Sequence, residues 1–413
     1  MTEENKEIEA ANTADNKKRK IAEFPINVRR SLTCILCILL LFISIFCCAF
    51  THKTGNDGQK DIGLKIGLQS KRTIKNQGFT TAGSMLEARY WASAVLLKDG
   101  RIFIAGGRNR DKFGGDNILK STEIFDVKTG KSESGPDMSY SQQHPFLWLL
   151  SDGRVLIVTK SNSGYTIKTE IYNPNTNSID ESYEIENQNF IVNDTYAMQL
   201  NPNETFVFNP FLGMIDNFIY NNKTKSVYSV DAKKQGKPER FFGTAAPIGK
   251  INNYMFFQSG AKLIKISTDF MDVKYFNIPE KEKGTEYIGS VYDNSKIILL
   301  FDDKVYFFNI YKERFENSLS ISGDILPKKY SIKLFKADDN IFLFKYRYPN
   351  AYEHISKLNI DNRNITEKKY HTPARWGFPI QNQDGSILYI GGEKINECFR
   401  HSSVSKKIYM LNI

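Results

Sequence analysis

Histidine and cysteine, the side chains most used for metal binding and nucleophilic chemistry, number only five each in this 413-residue chain. The five histidines, His52, His144, His354, His371 and His401, show no metal-ligand spacing. Four of the five cysteines, Cys34, Cys37, Cys47 and Cys48, crowd into one apolar run, which leaves Cys398 alone beyond it and no intrachain disulfide framework there. No Gly-x-Ser-x-Gly elbow, phosphate loop or paired-carboxylate motif stands out. The sequence therefore names no catalytic residue, no metal ligands and no cofactor site. What it does offer is arginine next to aromatic rings, at Arg89-Tyr90-Trp91, Arg240-Phe241-Phe242 and Arg375-Trp376. Guanidinium groups beside rings make a cationic, stacking surface suited to carboxylates or an acidic peptide. The plainer reading is that each arginine simply lies along its neighbouring ring.

The elements that would position these residues repeat. Between Met85 and Met138 two short apolar runs, Trp91–Leu97 and Arg101–Ala105, flank Lys98-Asp99-Gly100, whose Asp-Gly pair supplies the positive φ of a hairpin turn. Gly106-Gly107 ends the second run, Ser121–Val127 makes a third strand, and Lys128-Thr129-Gly130 turns into a fourth. Four antiparallel strands in about 50 residues suit one propeller blade, which cannot bury both faces alone. The first-strand position recurs near Trp91, Leu147, Ala197, Ala245, Gly289, Lys333 and Gly377, at spacings of 56, 50, 48, 44, 44 and 44 residues. That periodicity predicts seven blades.

Blade two keeps Ser151-Asp152-Gly153-Arg154 and Thr169-Glu170-Ile171-Tyr172, and blade seven restores Arg375-Trp376-Gly377, Asp384-Gly385 and Gly391-Gly392. The turn, apolar strand and double glycine resemble the kelch repeat, and Asp-Gly-Arg-Ile-Phe-Ile-Ala-Gly-Gly at 99–107 looks most like kelch blades of galactose-oxidase type. The resemblance implies an all-β, seven-bladed kelch-type β-propeller over residues 80–413. Galactose oxidase would also need a copper site with a cysteine cross-linked to a tyrosine. Here Cys398 follows the last double glycine and no matching set can be assigned. The resemblance further implies that ligands dock at the end of the ring where the loop after the double glycine and the loop into strand one both open. By repeat position that end holds Arg89, Tyr90, Trp91, Arg108, Arg110, His144, Arg240, Arg375 and Trp376, with Arg89 and Arg375 side by side at the rim.

Ahead of the repeats, residues 1–30 are charged and poor in large apolar side chains, which predicts a disordered tail. Residues 31–50, SLTCILCILLLFISIFCCAF, carry no charge and are long enough, at ~1.5 Å per residue, to cross a ~30 Å hydrocarbon core as a transmembrane helix. Lys17, Lys18, Arg19, Lys20, Arg29 and Arg30 precede the run, so a signal-anchor with a cytoplasmic N-terminus and an extracytoplasmic propeller is expected. A cleaved signal peptide, with Cys47 and Ala49 as the small residues at its cleavage site, competes for the same run. Residues 51–79 read as a stalk whose last part, Thr73–Ala82, supplies the fourth strand that blade seven lacks. The chain's net charge of +10 falls almost wholly outside the tail and the apolar run, a mild preference for acidic partners, and the outward topology disfavours nucleic acid. The expected function is a membrane-anchored extracytoplasmic module that binds a protein or glycan through one end of the ring. The alternative is a sugar-active enzyme, a mutarotase, epimerase or oxidase-like protein, on the same scaffold.

Overall fold

Alternating buried and exposed positions in short β-rich segments, broken by Asp-Gly, Asn-rich and Gly-Gly turns, leave each segment able to pair only with its neighbours. The computed structural model describes residues 78–413 except 111–114, 162, 165, 187–190, 193–194, 210–216, 230–244, 280–284, 293–294, 321–330, 338–339, 347–353, 361–364, 396–401 and 412–413. The tail, the apolar run 31–50 and the stalk as far as residue 77 lie outside the described residues. Among the described residues, 78 onward, no helix is long and apolar enough to cross a membrane.

The described strands form seven four-stranded antiparallel sheets and two two-stranded ribbons. The first strands are Ser93–Leu96, Phe146–Leu149, Tyr196–Asn201, Ala246–Ile251, Tyr287–Tyr292, Ser331–Ala337 and Phe378–Gln381, so the fold is a seven-bladed β-propeller. Seven apolar clusters hold it, each drawing on two neighbouring blades. Ile102, Ile104 and Phe125 of blade one pack with Leu388, Ile390 and Ile408 of blade seven, and Phe103 and Ile124 pack with Val155, Ile157 and Tyr172 of blade two. The remaining five fill the successive junctions from blade two round to blade seven. A blade buries its faces only against its neighbours, which is why the ring must close.

Closure is made by the strand Phe79–Ser84, which pairs antiparallel with Lys407–Leu411 as the outermost strand of blade seven. This strand begins six residues later than the segment 73–82 read from the sequence. Its end leads through residues 85–92 into blade one, so Phe79 sits at the opposite end of the ring from that connection.

The turn between third and fourth strands carries a repeat of its own. Asp126, Asn173, Asn221 and Asn309 each accept, on a side-chain oxygen, a backbone N–H two or three residues on, at 2.8–3.0 Å. Gly130, Asn177, Lys225 and Glu313 close these turns with φ between +48° and +69°. An Asx turn followed by a left-handed residue is the local solution for reversing a twisted strand here. The Asp-Gly-Arg turns do a second job. Arg154 pairs with Asp152 and with Glu181 on the outer strand of its blade, while Tyr220 of blade three donates to Glu181 at 2.9 Å, tying blade two to blade three.

Candidate functional site

The end of the ring at which blades seven, one and two meet is built by the two double glycines. Gly106 and Gly391 have φ of +63° and +64°, and Gly107 and Gly392 both +97°, where a side chain is strained. A Cβ on Gly391 would overlap the carbonyl oxygen of Arg89, and one on Gly106 that of Gln142. This close approach lets the N–H of Gly392 donate to Arg89 O at 3.0 Å and that of Gly107 to Gln142 O at 2.9 Å, so each double glycine receives the entry loop of the next blade.

These contacts fix the register between repeats. Tyr90 exchanges backbone hydrogen bonds with Arg108, and Arg375 does the same with Glu393. Tyr90 therefore corresponds to Arg375, Trp91 to Trp376 and Arg89 to Ala374. The expected equivalence of Arg89 with Arg375 is off by one residue, because the sequence aligned the arginines rather than the tryptophans. By the same contacts Trp91 corresponds to His144. These three residues share a left-handed backbone, with φ of +55° at Trp91, +49° at His144 and +56° at Trp376, so Trp91 lies in a turn ahead of the strand in which it was expected. The N–H of Trp91 donates to Trp376 O at 3.2 Å and that of His144 to Trp91 O at 2.8 Å, a backbone relay across three blades.

The relay aligns three half-buried rings in a row. Trp376 and Trp91 have centroids 5.3 Å apart, Trp91 and His144 5.8 Å, and the buried Tyr90 ring touches both tryptophans at 5.2 and 5.7 Å. The guanidinium of Arg108 lies 5.3 Å from the Trp91 centroid and that of Arg375 4.7 Å from the Trp376 centroid. Arginine thus does lie over a ring at both tryptophans, but in blade one the arginine is Arg108, not Arg89.

Two short ribbons rise beside the row, Arg108–Arg110 with Asp116–Ile118 on blade one and Glu393–Ile395 with Ser402–Val404 on blade seven. They touch, and the contact is ionic. Glu393, 1% exposed, lies 2.8 Å from Nη1 of Arg110 and 3.3 Å from Nη2 of Arg375. Asp116 pairs with Arg108 and Arg110 and accepts the Tyr90 hydroxyl at 2.9 Å. Burial alone would raise the Asp116 carboxyl, but these donors hold it below the usual range. Burial and the bond to Asp116 push the Tyr90 hydroxyl up. Burial disfavours the Arg110 cation, yet Glu393 and Asp116 outweigh it and the guanidinium stays charged. The arginines are therefore neutralised within the chain, three cations against two carboxylates, rather than left as an open cationic surface. Nε of Arg108 and Nε of Arg375 have no hydrogen-bond acceptor, but both atoms are buried and are not presented at the surface.

Arg89 does not reach the rim. Its side chain is wholly buried, with Nη2 2.6 Å from Glu123, and it donates to the carbonyls of Gly106 and Ser121 at 2.9 and 3.0 Å. Glu123 also accepts the N–H groups of Leu86 and Glu87, so this pair pins the entry loop from below. Glu170 does the same in blade two by accepting Ser139 N–H and hydroxyl. An arginine buried with its terminal nitrogens on backbone carbonyls and a buried carboxylate is a strut.

Of the residues read from the sequence, Tyr90, Trp91, Arg108, Arg110, His144, Arg375 and Trp376 come together at one end, and Arg89 lies beneath them. Arg240 is outside the described residues. Sequence reasoning gave no role to Asp116, Glu123 or Glu393; the signal for Glu393 was its place directly after a double glycine, where blade one has Arg108. Among the described residues no group of three or more His, Cys, Asp or Glu is placed to hold a metal ion.

A family model described as the Kelch motif matches residues 93–139, from the first strand of blade one into the loop toward blade two. With seven four-stranded sheets around it, the match supports a kelch-repeat propeller, a class that generally serves as a protein-binding module. No curated protein matches the chain.

Proposed function

We propose that this protein is a membrane-anchored, extracytoplasmic binding module that receives a protein partner at the end of the ring where blades seven, one and two meet. The observation that carries this reading is the row Trp376–Trp91–His144, held half-buried in a left-handed backbone and flanked by Arg108 and Arg375. A tryptophan in that conformation costs on the order of 1–3 kcal/mol, and strain of this kind gathers at ligand-binding sites. Aromatic and arginine side chains are also those that dominate docking energy. Residues 31–50 supply the anchor, and the basic residues before them orient it. Phe79, the first residue of the closing strand, lies at the end of the ring away from the row.

Two measurements test this. Protease added outside intact cells should cut between residues 51 and 77 and release the propeller; a protected propeller with a digestible N-terminal tail would reverse the topology. Trp91→Ala with Trp376→Ala should abolish recovery of the partner that the unaltered chain retains, whereas Tyr311→Ala, at an exposed turn of the other end, should not.

A further inference from the structure

At the end of the ring opposite the row, an open cleft of about 400 Å³ lies on the seam between blades three and four. That volume is within the ~300–1,000 Å³ of small-molecule sites. Blade three lines it with the turn at Asn201 and Pro202, and blade four with Lys250, Asn253 and Thr268. We propose that Lys250 is a nucleophilic amine in this cleft and captures small hydroxylated aldehydes as an imine. The site is separate from the row and does not depend on what docks there. Half-buried near the end of the strand Ala246–Ile251, Lys250 donates from Nζ to Leu200 O at 3.0 Å. Leu200 belongs to the apolar cluster shared by blades three and four, so the amine sits at the edge of a low-dielectric core. No carboxylate among the described residues offsets this; burial alone acts on the amine and lowers its pKa, which enlarges the unprotonated, nucleophilic fraction. Two other lysines show what sets this one apart. Lys98 donates in the same way across a blade seam, to Ser151 O, but is exposed. Lys265 is buried, but it is paired with Glu313 and lies 3.6 Å from the Tyr254 ring centroid.

The lining selects the guest. The exposed Asn253 amide and the half-buried Thr268 hydroxyl make no side-chain hydrogen bond among the described residues, so both can serve hydroxyls of a ligand. Asp269 puts a carboxylate on the same wall, where it accepts Met271 N–H at 2.9 Å, and its charge favours a neutral guest over an anion. The Leu200 carbonyl takes one N–H of the amine and leaves the nitrogen lone pair free to attack. That pair forms a C–N bond to the aldehyde carbon while the C=O π pair moves to oxygen, and a proton passes from nitrogen to that oxygen. The carbinolamine then loses its hydroxyl and the second N–H proton as water, which leaves a C=N bond with no oxidant or reductant required.

Reductive trapping tests this on the full chain. Glycolaldehyde with cyanoborohydride converts each imine to a stable secondary amine, and mass spectrometry of the digested protein reads the label at every lysine. With limiting aldehyde at neutral pH, Lys250 should be labelled severalfold faster than the exposed Lys98. Propanal has the same reach but no hydroxyl, so with it the ratio of Lys250 to Lys98 labelling should be about tenfold lower, the worth of one good hydrogen bond. Taking the ratio removes the difference in intrinsic reactivity between the two aldehydes. Asn253→Ala with Thr268→Val should lower the glycolaldehyde ratio to the propanal one and leave Lys98 unchanged. Labelling of Lys250 no faster than Lys98 would overturn its assignment as a nucleophile. An equal ratio with the two aldehydes, measured on the unaltered chain, would overturn selection for hydroxylated aldehydes, as would a ratio that stays high in the double variant.

Discussion

Trp91 and Trp376 occupy the same position in neighbouring blades, with φ of +55° and +56°, ring centroids 5.3 Å apart and the N–H of Trp91 on the carbonyl of Trp376. Two bulky residues in the left-handed region, joined by a backbone hydrogen bond across the seam where the ring closes, place stored strain and exposed aromatic surface at one spot.

That strain sets the order of two substitutions. Trp376→Gly and Trp376→Ala lose the same ring contacts, but only glycine adopts the positive φ freely. The glycine variant should be more stable by about 1 kcal/mol in urea unfolding, the reverse of the order in a strand interior. Equal stability, or alanine ahead, would show that the backbone relaxes there.

Arg89 and Glu123 should behave as a buried pair. Arg89→Met leaves Glu123 without its cation and frees the carbonyls of Gly106 and Ser121, at an expected cost of about 3–5 kcal/mol. Urea denaturation of the full chain checks this, and a loss below about 1 kcal/mol would mean that the entry loop is held by other contacts.

The double glycine of blade seven makes a sharper demand. Gly391→Ala should cost on the order of 1–2 kcal/mol from φ alone, with overlap on the Arg89 carbonyl in addition. An unchanged melting temperature would contradict the register between blades seven and one.

Stability should fall in acid through the latch of blades two and three. Burial would raise the Glu181 carboxyl, but hydrogen bonds from Tyr183, Arg154 and Tyr220 lower it overall. Burial and the bond to Glu181 in turn raise the Tyr183 hydroxyl to about 12. A carboxylate whose folded pKa is depressed contributes stability that is present above the unfolded value of about 4.3 and is lost as pH falls through the folded value. Glu181→Gln should flatten the pH dependence of unfolding below about pH 4, and a profile as steep as that of the unaltered chain would place the acid-sensitive group elsewhere.

Much of the ring was legible because its periodicity is a consequence of burial. Each blade must cover its neighbour, so Leu147, Ala197, Gly289 and Lys333 fall within first strands, and Ala245 and Gly377 immediately before them. Blades three to six gave only spacing, since they lack the full signature; in blades three and five the Asx turns at Asn221 and Asn309, which repeat Asp126 and Asn173, were the overlooked local signal. The sequence grouped at one end of the ring seven residues that the structure also brings together there, but it aligned Arg89 with Arg375. A one-residue error turns a buried strut into an expected rim residue, because neighbouring side chains in an extended entry loop point opposite ways. The pairing of Arg110 with Glu393 was beyond sequence reasoning, as it joins residues nearly the whole domain apart through two ribbons that meet only once the ring has closed.

The most direct test of end-on binding is position-dependent photo-crosslinking in intact cells with the full chain. A photoreactive residue at Ile118, exposed on the blade one ribbon beside the row, should crosslink the partner, and the same residue at Tyr311, exposed at the opposite end, should not. The Ile118 adduct should disappear when Trp91 and Trp376 are both alanine. An adduct from Tyr311 alone, or one from Ile118 that persists without the two tryptophans, would contradict the account.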